Sequence, residues 1–156
     1  MLTIDVPGFG ALRLRHLVLD YNGTLAVDGR PLPGAKRRLA VLGTRLSIHV
    51  LTADTFGKAR AGLKDMDCKL VVLGGAAQDR TKAAYVRRLG ASGVVCVGNG
   101  RNDRMMLRVA ALGIAVIQQE GGAAEAILAS DVVVNRVNDA LDLLVRPLRL
   151  VATLRA

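Results

Sequence analysis

The chemistry this sequence could carry lies in a few polar residues, most of which follow an apolar run: Asp20 and Asn22, Thr52 and Asp54, then Asn99, Asn102 and Asp103, with Lys82 between the last two groups. A carboxylate such as Asp20 can attack a phosphoryl group only if the repulsion between two anions is offset. That calls for Mg²⁺ among oxygen ligands, a lysine, and donors for the phosphoryl oxygens. The residue types answer each requirement. Asp20 would be the nucleophile and touch the metal, with the backbone carbonyl of Asn22, Asn99 and Asp103 completing the metal contacts. Thr52 and the amides around Gly23 would hold the phosphoryl oxygens, and Lys82 would balance phosphate and carboxylate together. Singly, each has a plainer reading: Asp20 and Asn99-Gly100 as turn residues, Thr52 as a strand-end hydroxyl, Lys82 as a solvated helix charge.

Only a scaffold that gathers these positions makes them a site. From His16 onward, short runs rich in Val, Ile and Leu alternate with longer amphipathic stretches, the pattern of a parallel sheet covered on both faces. Strands are expected near 16–20, 46–52, 69–73, 94–98, 113–117 and 131–134. Helices are expected near 34–44, 55–65, 79–89, 102–111 and 122–129, with a last one from about 138. Pro33-Gly34 opens the first helix, Asp79 is placed to cap the third, and Gly90 and Gly113 stand where helices should stop. The expected fold class is α/β, a doubly wound parallel sheet in a three-layer sandwich. Residues 1–15 differ: LTIDV, a Pro7-Gly8-Phe9-Gly10 turn and ALRLR signal a β-hairpin added at an edge. In open parallel sheets, ligands bind beyond the carboxyl ends of strands near the switch in strand order. The polar residues named above fall on that rim.

Composition narrows the function classes. At 156 residues, 51% of them apolar, the chain is expected to form one domain, 1–156, with a proper core. No apolar run reaches the roughly 18 residues of a membrane span, and the C-terminal run is broken by Asp142, Arg146 and Arg149. The N-terminus carries Asp5 and has no basic segment before an apolar one, so it does not read as a signal peptide. A cytoplasmic chain without membrane association is expected. Cys68, Cys96, His16 and His49 show no metal spacing and read as buried structural groups. The net charge of +9 would suit nucleic acid, but the basic residues are scattered and aromatics make up only 3%, leaving few stacking platforms. A basic surface that draws in a phosphorylated substrate fits better.

Four segments carry a family resemblance. LDYNGTLA resembles the first motif of the haloacid dehalogenase superfamily, an aspartate nucleophile followed by x-x-Gly-Thr; VLTAD resembles the second; Lys82 stands for the third; VGNGRND resembles the fourth. Order and spacing agree. Within that superfamily, KAAYVRRLGASGVVCVGNGRNDRMMLRVAALGIAV is similar to the phosphorylation domain of P-type cation ATPases, where a lysine helix leads into Gly-Asp-Gly-x-Asn-Asp and then Gly-Ile-Ala. AILASDVVV resembles the next strand, and the whole is similar to the stand-alone soluble P-type ATPases. Coverage is about residues 14–145. The resemblance implies phosphoryl transfer through an aspartyl-phosphate on Asp20 with Mg²⁺, Asn22 and Lys82 in the catalytic set, and Gly23, Thr52, Ala53 and Lys82 around the phosphate.

Two positions depart from the pattern. Phosphatases of the superfamily carry a second aspartate two residues after the nucleophile to protonate the departing alcohol; here that place is Asn22, and an amide moves no proton at neutral pH. Substrates with good leaving groups are therefore expected: nucleoside triphosphates, acyl phosphates or aryl phosphates. Asn99 stands where the family has a metal-binding aspartate, which removes a charge from the metal shell. Spacing leaves no room for the usual cap insertions, so the site is expected to be open, with a large substrate or a neighbouring subunit of a dimer or tetramer as lid and residues 24–32 as the flap hairpin. Two functions follow: a cap-less phosphohydrolase, or a catalytically weak metal- and phosphate-binding regulatory domain of the same fold.

Overall fold

A computed structural model describes residues 1–53 and 57–156, so Asp54, a rim residue in the sequence, lies outside the described residues, as does the start of the helix expected at 55. In chain order the elements are β1 (Leu2–Val6), β2 (Gly10–Leu14), β3 (His16–Asp20), β4 (Ala26–Val27), β5 (Arg30–Pro31), α1 (Ala35–Gly43), β6 (Ser47–Thr52), α2 (Lys58–Leu63) and β7 (Lys69–Val72). There follow α3 (Gln78–Leu89), β8 (Val94–Gly98), α4 (Arg104–Val109), β9 (Leu112–Val116), α5 (Ala124–Ala129), β10 (Val132–Val134), α6 (Val137–Val145) and α7 (Pro147–Leu154).

Six strands form one parallel sheet in the order β10-β9-β8-β3-β6-β7. The chain leaves β3 toward β6 and β7, then returns to the other side of β3 for β8, β9 and β10, so the order switches between β3 and β8. This is the doubly wound arrangement, and its crevice lies at the carboxyl ends of those two strands. Side chains alternate along β3. Leu17 and Leu19 join the larger core with α1, α6 and α7, whereas Val18 joins the core under α3 and α4 that includes Leu51, Cys96, Tyr85, Val86 and Met106. Asp20, two residues beyond Val18, faces the α3 side by the same period of two.

The N-terminal hairpin exists, with β1 and β2 antiparallel from Leu2↔Leu14 to Val6↔Gly10, but it is not an edge addition. It forms a separate two-stranded sheet whose buried face, Leu2, Ile4, Val6, Leu12 and Leu14, adds to the larger core. The reason is topological: β2 runs directly into β3, which is flanked on both sides. Arg15 fills the junction, donating its N–H to Gly93 O at 2.8 Å and accepting from Ser47 N–H at 2.9 Å.

Three local expectations also change. Asp79 is not a cap, because α3 starts at Gln78; Asp79 sits in the first turn and binds Arg104 Nη2 at 2.6 Å. Gly113 lies inside β9, where a β-carbon would come within 2.5 Å of Leu107 O, so its absence lets α4 pack against the strand. The C-terminal helix is two helices, since Pro147 has no N–H to continue α6 and starts α7 instead. Gly90 does end α3, with φ of 86°. Among the described residues, no helix is long and apolar enough to cross a membrane.

Candidate active site at the strand switch

Asp20 ends β3 and Asn99 follows β8, so the two sides of the switch deliver a carboxylate and an amide to one rim. Lys82 arrives from α3, whose Ala, Gln and Arg content favours a helix and whose inward face is Lys82, Ala83, Tyr85 and Val86. It is 1% exposed and paired twice: Nζ donates to Asp20 Oδ1 at 2.7 Å and to Asp103 Oδ1 at 2.7 Å. The plain reading of Lys82 as a solvated helix charge is thereby excluded. Burial pulls the lysine down, but attraction to both carboxylates outweighs it and holds Lys82 above its ordinary value, hence cationic.

Asp20 is pushed the other way. Burial, then repulsion from Asp103, raise its carboxyl to about 7, while Lys82 and a hydrogen bond from Thr24 pull against that rise. Thr24 Oγ1 lies 3.3 Å from Asp20 Oδ2 and 3.3 Å from Asn99 Oδ1, tying both sides of the switch to one hydroxyl. The amide of Asn99 is oriented by its own Nδ2, which donates to Gly121 O at 2.9 Å and so turns Oδ1 toward Thr24 and Asp20.

Asp103 is wholly buried. Its Oδ1 takes Lys82, and its Oδ2 accepts the N–H groups of Asn99 at 3.0 Å and Gly100 at 2.9 Å. A β-carbon on Gly98 would lie 2.6 Å from Asp103 Cγ, so the strand must end on glycine for the carboxylate to fold back beneath the loop.

Gly23 corrects the expectation for its amide. Its N–H already donates to Ala26 O at 2.7 Å within the turn that opens the β4–β5 hairpin, so it is not a free phosphate donor. Its role is shape: φ is 78°, and a β-carbon would meet the Asn99 amide at 2.5 Å. Among the described residues, the N–H groups of Asn22 and Ala53, both at this rim, donate to no backbone carbonyl. Thr52 closes β6 one residue beyond Leu51, the register partner of Asp20, and is 2% exposed, while Asn22 is exposed.

Three contributors escape motif reasoning. Thr24 stands inside the first motif but joins the site through its hydroxyl. Gln118, in left-handed backbone with φ of 52°, donates Nε2 to Gly23 O and Thr24 O, each at 2.8 Å, and accepts Val137 N–H at 2.8 Å. Gly121 holds Asn99. The available signal was the polar run Gln118-Gln119-Glu120-Gly121-Gly122 just beyond a parallel strand, the same rim logic that selects Asn99.

The donors at this rim are oxygens: the Asp20 carboxylate, Asn99 Oδ1 and the Asn22 carbonyl. Among the described residues no three His, Cys, Asp or Glu side chains gather as a metal-holding group. Mg²⁺ requires no such group, because it is held by one or two carboxylates, waters and substrate phosphate. The gathering of Asn99 Oδ1 and Asp20 Oδ2 around one Thr24 hydroxyl, each at 3.3 Å, is the feature that fits a small hard cation.

No protein-family profile matches the chain. An uncharacterized protein of Methanocaldococcus jannaschii is 52% identical over 62 residues, covering 40% of this chain and 67% of that protein. Among solved structures, the 3-deoxy-D-manno-octulosonate 8-phosphate phosphatase of Moraxella catarrhalis, in complex with magnesium, phosphate and KDO, has a TM-score of 0.71 at 15% identity, over 86% of this chain and 87% of that one. A zinc-transporting PIB-type ATPase has a TM-score of 0.63 at 24% identity, over 79% of this chain and 20% of that one.

Proposed function

We propose that this chain, whose fold is that of the haloacid dehalogenase superfamily, is a Mg²⁺-dependent phosphohydrolase working through an aspartyl-phosphate on Asp20. The observation that carries this reading is the buried Lys82 bridging Asp20 and Asp103 at 2.7 Å each, at the switch point of the sheet. One Asp20 oxygen attacks phosphorus; the bond from phosphorus to the leaving oxygen breaks, and its electron pair departs with the leaving group. Water then attacks the aspartyl-phosphate, releasing inorganic phosphate and restoring the carboxylate.

Lys82, the Thr52 hydroxyl and the N–H groups of Asn22 and Ala53 bind the phosphoryl oxygens, and Gly23 shapes the loop that presents them. Asp20, the Asn22 carbonyl and Asn99 Oδ1 are the groups that would hold Mg²⁺. When bound, the ion supplies positive charge against which the phosphoryl oxygens and the nucleophile are brought together. Asp103, placed in the metal shell by the sequence, is better read as the anchor of Lys82, since neither of its oxygens is free.

Asn22 directs substrate choice. Without an acid there, substrates whose leaving group departs unprotonated, such as acyl, aryl or nucleoside polyphosphates, are favoured. The same amide supports a second reading, a metal- and phosphate-binding regulatory domain with little turnover. A screen of nucleotide, acyl, aryl and sugar phosphates with Mg²⁺, run beside Asp20→Asn, separates them. Hydrolysis lost in the variant supports the enzyme; equal background in both supports the binding domain.

A further inference from the structure

Asn22 and Asn99 both carry amides where the superfamily pattern has carboxylates, so this site is short of the negative charge that attracts a divalent cation. The loop between β9 and α5 supplies a carboxylate in their vicinity. A methyl group built on Gly23 would lie 2.7 Å from Glu120 Oε2, 2.7 Å from Asn99 Oδ1 and 2.5 Å from Asn99 Nδ2, so carboxylate, amide and nucleophile loop converge on one point. Gly23 is the residue that lets them meet.

Glu120 is not there by chance of a loose loop. Two residues earlier, Gln118 clamps the carbonyls of Gly23 and Thr24 and the N–H of Val137 at 2.8 Å each. One residue later, Gly121 O accepts Asn99 Nδ2 at 2.9 Å, and Ala123 N–H donates to Asn99 O at 2.8 Å. The backbone that carries this exposed carboxylate is therefore held between two anchors that are themselves part of the site. Its own hydrogen bond is a long one, 3.4 Å from Asp28 N–H to Oε1, and it takes part in no ion pair among the described residues. Lys82 cannot neutralise it, being buried between Asp20 and Asp103.

Resting on the cation reading above, we infer that Glu120 supplies the charge that Asn99 lacks: it is a positioning residue that strengthens divalent-cation binding at the rim of the site. Three carboxylates, Asp20, Asp103 and Glu120, then face one ammonium, and a divalent ion completes the balance.

The test is calorimetric titration of the intact chain with Mn²⁺ as a stand-in for Mg²⁺, in mildly alkaline buffer. Glu120→Gln removes the charge but keeps an oxygen for Asp28 N–H, so the loop's contact survives. Its Mn²⁺ affinity should fall roughly 10- to 100-fold, the range seen when groups outside the direct ligand set are lost. Its metal-free melting temperature should match that of the unsubstituted chain. Adding Asn99→Asp to Glu120→Gln should restore most of the loss. A Glu120→Gln chain that binds Mn²⁺ as tightly as the original, or a double variant no tighter than Glu120→Gln, overturns the inference while leaving the cation site standing. Failure of the unsubstituted chain to bind Mn²⁺ overturns the cation reading as well.

Discussion

Lys82 Nζ stands 2.7 Å from Asp20 Oδ1, one buried ammonium against the carboxylate that ends the central strand. The pair is joined by Asp103, so one ammonium faces two buried carboxyl groups and does not balance both when they are ionised.

Replacing Lys82 should therefore cost stability as well as activity. In Lys82→Met, Asp20 and Asp103 lose their common partner in a place without solvent, and breaking such a pair costs about 3–5 kcal/mol. Urea denaturation should show that loss, larger in alkaline than in acid buffer because protonated carboxyls need no partner. Adding Asp103→Asn should return part of it.

On the proposed function, Asn22 should set the leaving-group preference. Its side chain is exposed, so Asn22→Asp disturbs no core and adds an acid at the position where the superfamily uses one. Turnover of simple alkyl phosphates should rise on the order of 10²-fold, the usual contribution of a general acid. Aryl phosphates should change much less. Steady-state rates on one substrate of each kind decide this, and no gain on the alkyl ester removes this account of Asn22.

Cation binding should depend on pH through Asp20. With its carboxyl raised to about 7, Asp20 is largely protonated below that value and a poor cation ligand; above it, the carboxylate is free to bind. Affinity for Mg²⁺ should fall as pH drops through 7, and binding below that point should release a proton. Calorimetry in two buffers of different ionisation enthalpy measures the release directly.

A second titration lies beneath the opposite end of the sheet. His49 Nε2 is 3.2 Å from His16 Nδ1, and His49 Nδ1 is 2.8 Å from the Tyr85 hydroxyl. Burial, then the His16 and Lys69 charges, lower His49 to about 4 from 6.5. The unfolded chain thus takes up a proton before the folded one as pH falls from 6.5 to 4, and His49 costs stability across that window. The full effect of a shift that size is about 3 kcal/mol. Asp20, raised rather than lowered, works with the opposite sign over much of the same range. The measured quantity is therefore the difference in unfolding free energy between the chain and His49→Gln, which should shrink as pH falls.

Much of the scaffold was legible because its signals are local. The β3, β6 and β8 strands announce themselves as apolar runs, and each ends where the polarity switches, so Asp20, Thr52 and Asn99 could be placed on one rim from residue order alone. What stayed hidden depends on packing. The fate of the β1–β2 hairpin follows from β3 being central, which strand patterns alone do not reveal. The engagement of both Asp103 oxygens and of the Gly23 N–H follows from loop closure, and these turned two expected ligands into supports. Gln118 acts across 94 residues of sequence, on Thr24, and no spacing rule links them.

The most direct test of the nucleophile is chemical. The chain is mixed with Mg²⁺ and an acyl or aryl phosphate, quenched in acid during the first turnover, digested, and examined by mass spectrometry for one added phosphoryl group. The account predicts that group on Asp20, stable in acid, removed by hydroxylamine, and absent from Asp20→Asn. Steady hydrolysis with Asp20 unlabelled, or undiminished hydrolysis by Asp20→Asn, would contradict it.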